Sequence, residues 1–88
     1  MGNYIRGKIM MDSKQLALVY LMEESNRMAS VCTKNVHSLN KKKTTNDIAE
    51  QLGRLFSAMK EVATELKLDE QQVEGYAIAE YERRQNDL

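Results

Sequence analysis

The chain has 88 residues, which make one domain whose core is small for a monomer. Its thirteen basic and thirteen acidic residues cancel, which argues against a general nucleic-acid or membrane binder. The single cysteine, Cys32, excludes an intrachain disulfide and is expected to be a buried structural thiol. Without a signal peptide or an apolar run of roughly 20 residues, the chain is predicted to be cytoplasmic and not membrane-bound.

The N-terminal residues 1–11 show no clear hydrophobic period and are predicted to form an arm of uncertain order. After this arm, Asp12 or Ser13 is a suitable cap for a first long helix that ends at about Val36. The first half of that helix, LALVYLM, is apolar on nearly every side. This pattern predicts that it packs against more than one neighbour.

A loop with the lysine run 41–43 is predicted to separate the first helix from a second one. Thr45 or Asn46 caps the second helix, which is expected to end near Lys67. Its hydrophobic residues recur at spacings of four and three, which is the strongest periodic signal in the chain. Gly53 costs about 1 kcal/mol in a helix interior, so it predicts a close helix crossing.

A third helix is predicted from its N-terminal signals. Asp69 is the expected cap, Gln72 completes a capping box, and Leu68 and Val73 form a hydrophobic staple. The helix is expected to end in the polar tail ERRQNDL. Four of its residues are predicted to face the core: Val73, Tyr76, Ala77 and Tyr81.

Two short motifs give the chain its clearest functional signal. The first helix contains EESNR at residues 23–27, and the second contains EQLGR at residues 50–54. Together they resemble the MazG-like nucleoside triphosphate pyrophosphohydrolases, whose signature is E-E-x-x-E on one helix and E-x-x-D on the next. This resemblance implies an all-α fold in which four acids hold Mg²⁺ and the ion holds the phosphates of a nucleotide.

At the positions of those four acids, this chain keeps only one. Glu24 matches the first ligand, Arg27 replaces the second, and Gln51 and Arg54 replace the two acids of the other helix. Two cations at short range would repel Mg²⁺. The resemblance therefore predicts the family's fold without its reaction. The degenerate site has no catalytic residue and no metal, and it consists of Glu23, Glu24, Arg27, Glu50, Gln51 and Arg54.

Three interpretations of this site stay open. In the first, its acids pair with Arg27 and Arg54 across the helix interface as a salt-bridge network. In the second, the two arginines bind phosphate oxygens directly and hold a nucleotide or another anion. The third is the alternative function, a Mg²⁺-dependent pyrophosphohydrolase of weak or altered activity, whose metal ligands would be Glu23, Glu24, Asp47 and Glu50.

These observations predict an all-α protein with three main helices, a MazG-like domain over residues 12–88 and a core completed by oligomerisation. We expect a homodimer or higher oligomer that binds a protein partner or a nucleotide or phosphate ligand without catalysis. The resemblance implies a regulatory role, because small members of this family occur in bacteria and their phages. No aromatic residue lies among the lysines 41–43, which argues against nucleic acid as the partner.

Overall fold

The computed structural model of the chain describes residues 4–6 and 9–87. Over that part, most residues belong to three helices: α1 (Ser13–His37), α2 (Lys41–Glu65) and α3 (Glu70–Asn86). The prediction of a small helical protein with three main helices is confirmed. Among the described helices, none combines the length and the apolar character needed to cross a bilayer.

The N-terminal arm contains a short pair of antiparallel strands, β1 (Tyr4–Arg6) and β2 (Ile9–Met11), in addition to the helices. The second strand lies against α1. The rest of the arm, residues 1–3 and 7–8, lies outside the described residues, as does Leu88 at the end of the predicted domain.

Helix α1 begins with a capping box, which decides between the two predicted caps in favour of Asp12. The Asp12 carboxylate accepts a hydrogen bond from the Gln15 backbone N–H at 2.8 Å. In return the Gln15 side-chain oxygen accepts one from the Asp12 N–H at 3.0 Å. Two N–H groups without helical partners are thereby satisfied.

Helix α2 begins earlier than predicted, at Lys41, because Asn40 is its cap. The Asn40 side chain accepts a hydrogen bond from the Lys43 backbone N–H at 3.2 Å. The predicted cap Thr45 and its neighbour Thr44 instead accept hydrogen bonds from the Asn35 side chain of α1. The loop is therefore shorter than expected, and the lysine run lies in the first turn of α2.

Helices α1 and α2 pack as an antiparallel hairpin along one seam of residues spaced by three and four. In an antiparallel pair this spacing keeps one stripe of each helix against the other. The apolar core of the described residues is small, since its only buried hydrophobic side chains are Ala17, Ala58 and Val62. Within LALVYLM, Ala17 is the only fully buried residue of the single chain, and the prediction that this segment packs in a bundle or an oligomer interface stays a prediction. The seam consists of Ala17, Leu21, Glu24, Met28 and Val31 on α1 and Ile48, Gln51, Leu55, Ala58 and Val62 on α2.

The two outer sides of this hairpin differ in chemistry. In an antiparallel pair, a two-fold axis perpendicular to both helices relates one helix to the other. Residues that follow the seam by the same number of positions on each helix therefore lie on the same side of the hairpin. The residues one position after the seam are all uncharged, and we call their exposed large members the open face: Leu18, Met22, Leu52, Phe56 and Met59. The residues one position before it form what we call the charged side, which includes Glu23, Arg27, Asp47, Glu50, Arg54 and Glu61.

Helix α3 has no buried residue, so the prediction that one of its faces lies in the core is wrong for the single chain. Tyr76 is 69% exposed and Tyr81 is 65% exposed. Between α3 and α2 lies an open groove of about 340 Å³. The groove is lined by Phe56, Met59, Lys60, Ala63, Glu70, Val73, Glu74 and Ala77.

Local interactions hold α3 in its helical form. The Asp69 carboxylate accepts a hydrogen bond from the Gln71 N–H at 2.9 Å, which confirms the predicted cap. Near the other end, Arg83 and Arg84 donate to the Glu80 carboxylate. Hydrogen bonds from these two arginines lower the pKa of Glu80. Each such ion pair contributes little to stability at an exposed surface. Helix α3 therefore has its own local hydrogen bonds but buries no residue against the rest of the chain.

Two further predictions are wrong. A Cβ added at Gly53 would meet no atom within 4 Å, so this glycine does not mark a close helix crossing. Cys32 is exposed rather than buried. Cys32 lies on the open side of the hairpin, where helix periodicity alone suggests a core.

Helix α2 ends in a Schellman motif. The Leu68 N–H donates to the Ala63 carbonyl at 2.9 Å, and the Lys67 N–H donates to the Thr64 carbonyl at 3.2 Å. This geometry places Lys67 at a φ of 55°, in the left-handed region that favours glycine.

Replacing Lys67 with glycine is expected to stabilise the protein by up to about 1 kcal/mol, because the left-handed conformation no longer opposes a side chain. Urea unfolding measures the change. The matched control is Lys60→Gly in the interior of α2, which should destabilise by about 1 kcal/mol. Equal losses in both variants would contradict the left-handed assignment.

Candidate functional site

The centre of the hairpin seam is a polar layer formed by Glu24 of α1 and Gln51 of α2. Glu24 is 2% exposed and Gln51 is 5% exposed. The Gln51 amide donates to the Glu24 carboxylate at 2.8 Å and to the Glu24 backbone carbonyl at 3.1 Å. The resemblance predicted that these two positions lie opposite each other, and the structure brings them into contact.

The second oxygen of the buried carboxylate is also occupied. Arg27, one turn further along α1, donates from Nη1 to Glu24 Oε2 at 2.8 Å. Its side chain remains 58% exposed, so the guanidinium covers the layer from the solvent side. A buried carboxylate needs such partners, because an unpaired charge in the interior costs several kcal/mol.

Arg54 does not join this layer. It lies on the charged side and donates to Glu50 Oε1 at 2.6 Å, one turn earlier on the same helix. Its side chain is 53% exposed, and that of Glu50 is 65% exposed. The predicted pairing of acids and arginines across the interface is therefore wrong in its geometry. Each arginine pairs within its own helix, and the cross-helix bonds come from Gln51.

The remaining predicted residues stay outside the seam. Glu23 and Asp47 are exposed on the charged side, one position before Glu24 and Ile48. Within the described part of the chain, no three His, Cys, Asp or Glu side chains form a cluster that would hold a metal ion. The alternative ligand set of Glu23, Glu24, Asp47 and Glu50 is thus not gathered at one point.

The donor chemistry of this layer does not suit Mg²⁺. The ion takes oxygen ligands in octahedral geometry and needs nearly all of them to be carboxylate, phosphate or water. Here both Glu24 oxygens already accept hydrogen bonds, and the atoms that approach them are an amide and a guanidinium. The seam is organised to neutralise one carboxylate rather than to bind a cation.

The arrangement also disfavours the direct binding of phosphate. Arg27 and Arg54 were predicted to face one cavity, but each is already paired with a carboxylate of its own helix. Each pair occupies one guanidinium nitrogen, so an anion at either arginine would lie close to a carboxylate that repels it. Displacing Arg27 would leave a buried carboxylate with one partner fewer, which is unfavourable.

The lysine run serves first as a structural element. Lys41 donates from Nζ to the backbone carbonyls of Val36, at 3.1 Å, and of Asn35. These carbonyls lie at the C-terminal end of α1, where a positive charge is favourable. Lys42 and Lys43 are exposed in the first turn of α2.

The comparisons with known proteins give no matching family model, no similar curated protein and no similar solved structure. The description of the site therefore depends on its own residues and their contacts.

Sequence reasoning missed the role of Gln51. It entered only as the loss of an acid, whereas in the structure it is the one side chain that connects the two helices at the layer. The signal was present in the spacing, since Gln51 lies three and four positions from apolar seam residues, at Ile48 and Leu55. A polar residue in such a stripe has to find a buried partner.

We expect Gln51→Leu to destabilise the protein by about 3 kcal/mol, because it leaves one oxygen of the buried Glu24 carboxylate without its donor. In Glu24→Leu/Gln51→Leu the combined loss should be smaller than the sum of the single losses by at least about 1 kcal/mol. Urea unfolding of the two single variants and the double variant measures this coupling.

The matched control is the exposed pair Glu50 and Arg54. The same cycle with leucine at both positions should give a coupling of only about 0.3–0.5 kcal/mol. A coupling for Glu24 and Gln51 no larger than that of the exposed pair would show that the layer is not a connected unit.

Proposed function

We propose that this chain is a non-catalytic helical protein, a relative of the MazG-like pyrophosphohydrolases that acts by binding a protein partner. One observation carries the proposal: the carboxylate at the remaining ligand position, Glu24, is enclosed by Gln51 and Arg27. In an enzyme of this class the same carboxylate has to be available to a metal ion. Here it is part of the packing between two helices.

The open face supports the choice of a protein partner over an anionic ligand. Phe56 and Met22 are 61% and 62% exposed. None of the residues that follow the seam by one position is charged. A contiguous exposed apolar surface of this kind is typical of protein–protein contacts. The two arginines that would bind an anion are engaged with carboxylates.

The proposal is tested by restoring the four acids. In Arg27→Glu/Gln51→Glu/Arg54→Asp, all four family positions carry carboxylates. Without metal this variant should be less stable than the native chain, because two carboxylates meet in the seam. Mg²⁺ should raise its melting temperature, since the ion binds only the folded state, and should leave that of the native chain unchanged.

The control is Gln51→Glu alone, which retains both arginines and should gain no stability from Mg²⁺. Each outcome has a separate meaning. Release of pyrophosphate from nucleoside triphosphates by the native chain, dependent on Mg²⁺ and lost in Glu24→Gln, would establish the alternative function of an active enzyme. A restored variant that ignores Mg²⁺ would instead remove the relation to the MazG-like family.

The nucleotide-binding alternative is checked by calorimetry on the native chain, with and without Mg²⁺. We expect no heat of binding for nucleoside mono-, di- or triphosphates. Saturable binding that Arg27→Gln abolishes and Lys60→Gln preserves would favour an anion site at the charged side over a protein partner.

A further inference from the structure

The net charge of the chain is zero, but its charges are divided unevenly along the sequence. Residues 25–46, which run from the second half of α1 to the first turns of α2, contain five basic residues and no acidic one. Residues 47–88 contain more acidic than basic residues. Because α1 and α2 are antiparallel, the basic stretch folds back on itself at one end of the hairpin. We call residues 34–43 the turn end.

Hydrogen bonds between the two helices give the turn end a defined shape. The Asn35 amide donates to the Thr44 hydroxyl at 2.9 Å, which joins the end of α1 to the beginning of α2. Lys41 donates to the Val36 carbonyl at 3.1 Å and so satisfies the C-terminal end of α1. The fold therefore explains one lysine of the basic stretch.

Three other lysines of the turn end have no such role. Lys34, Lys42 and Lys43 are exposed, and none of them forms a salt bridge within the described part of the chain. Lysines in the first turn of a helix also oppose the helix dipole, which favours acidic residues there. Helix α2 has no acidic residue in its first turn. The single chain thus holds three like charges together without a compensating contact.

The most exposed large apolar side chain of the described residues lies at the same end. Leu39, in the segment that connects the two helices, is 104% exposed. Val36, in the last turn of α1, is 69% exposed. A leucine at the tip of a loop gains nothing from water, and its neighbours along the chain are polar residues and lysines that do not cover it.

We infer that the turn end docks on the surface of an anionic lipid bilayer. In this contact Leu39 enters the boundary between the head groups and the acyl chains, and the exposed lysines lie among the negative head groups. An anionic bilayer offers both kinds of partner at once, since an apolar layer lies directly beneath a layer of negative charge. The phosphates of a nucleic acid would serve the lysines but would leave the leucine without a partner.

Neither the net charge of the chain nor its helix lengths oppose this contact. Charges in solution are screened beyond roughly 8–10 Å, so the acidic residues at the far end of the hairpin contribute little at the membrane surface. A contact at the level of the head groups requires no helix that spans the bilayer.

The test measures flotation of the full chain with vesicles of phosphatidylcholine alone and of phosphatidylcholine mixed with phosphatidylserine. The native chain should bind only the mixed vesicles, and less so as salt is added. Lys42→Gln/Lys43→Gln should weaken this binding by about 30-fold, because each lysine at such a surface contributes about fivefold. The control Lys14→Gln/Lys60→Gln changes the net charge equally, outside the turn end, and should leave binding nearly unchanged.

Two variants of Leu39 test the insertion itself. Leu39→Ser should weaken binding to the mixed vesicles by about tenfold, because the apolar side chain is lost. Since the chain contains no tryptophan, Leu39→Trp reports the surroundings of that position alone. Its emission should shift to shorter wavelengths when mixed vesicles are added, whereas that of the control Ser57→Trp should not. Circular dichroism should show that each variant keeps its helices.

The outcomes that overturn the inference are distinct. A native chain that does not float with the mixed vesicles overturns it, and so do equal losses in the two double lysine variants or an unshifted emission from Leu39→Trp. Binding to duplex DNA without binding to vesicles, unchanged in Leu39→Ser, would assign the turn end to nucleic acid instead. The turn end shares no residue with the open face, so any of these results would leave the proposed function standing.

Discussion

The structure depends on a buried carboxylate that two other side chains satisfy. Glu24 lies in the middle of the seam, where a charge without partners would cost several kcal/mol. Arg27 is supplied by the same helix whatever the arrangement of the second helix. Gln51 is not, since it comes from 27 residues further along the chain and reaches Glu24 only in one register of the hairpin. The layer therefore favours that register, as a single buried polar residue does in a coiled coil.

This register determines what the rest of the hairpin presents. With Glu24 and Gln51 in the seam, every residue one position later is uncharged and most of the residues one position earlier are charged. Rotating either helix by one residue toward the charged side would bring Glu23 or Glu50 into the seam and expose Ala17 or Ala58. One polar pair in the seam is thus linked to the position of both the charged side and the open face.

Much of the fold was predictable from local sequence signals, whereas the hydrogen-bond and ion-pair partners of individual side chains were not. The caps Asp12 and Asp69 and the three helices follow from short-range sequence patterns that act wherever the chain is. The resemblance to the MazG-like motifs also predicted that Glu24 lies opposite Gln51. The arginines were misjudged because Arg54 takes the nearest carboxylate, Glu50, one turn away. Periodicity likewise misplaced Cys32 and α3, since it indicates an apolar face and not which molecule covers it.

A small core makes the polar layer more important than it would be in a larger protein. Where many large apolar side chains interlock, their shapes alone exclude other registers. Here the buried apolar residues of the hairpin are two alanines and a valine, which fit several registers almost equally well. Hydrogen bonds then contribute to the choice of register, because an arrangement that keeps Glu24 in the seam without Gln51 leaves the buried carboxylate short of a donor. Because so few apolar side chains are buried between the two helices, the uncharged side of the hairpin stays exposed in the single chain, with Phe56 and Met22 on its surface.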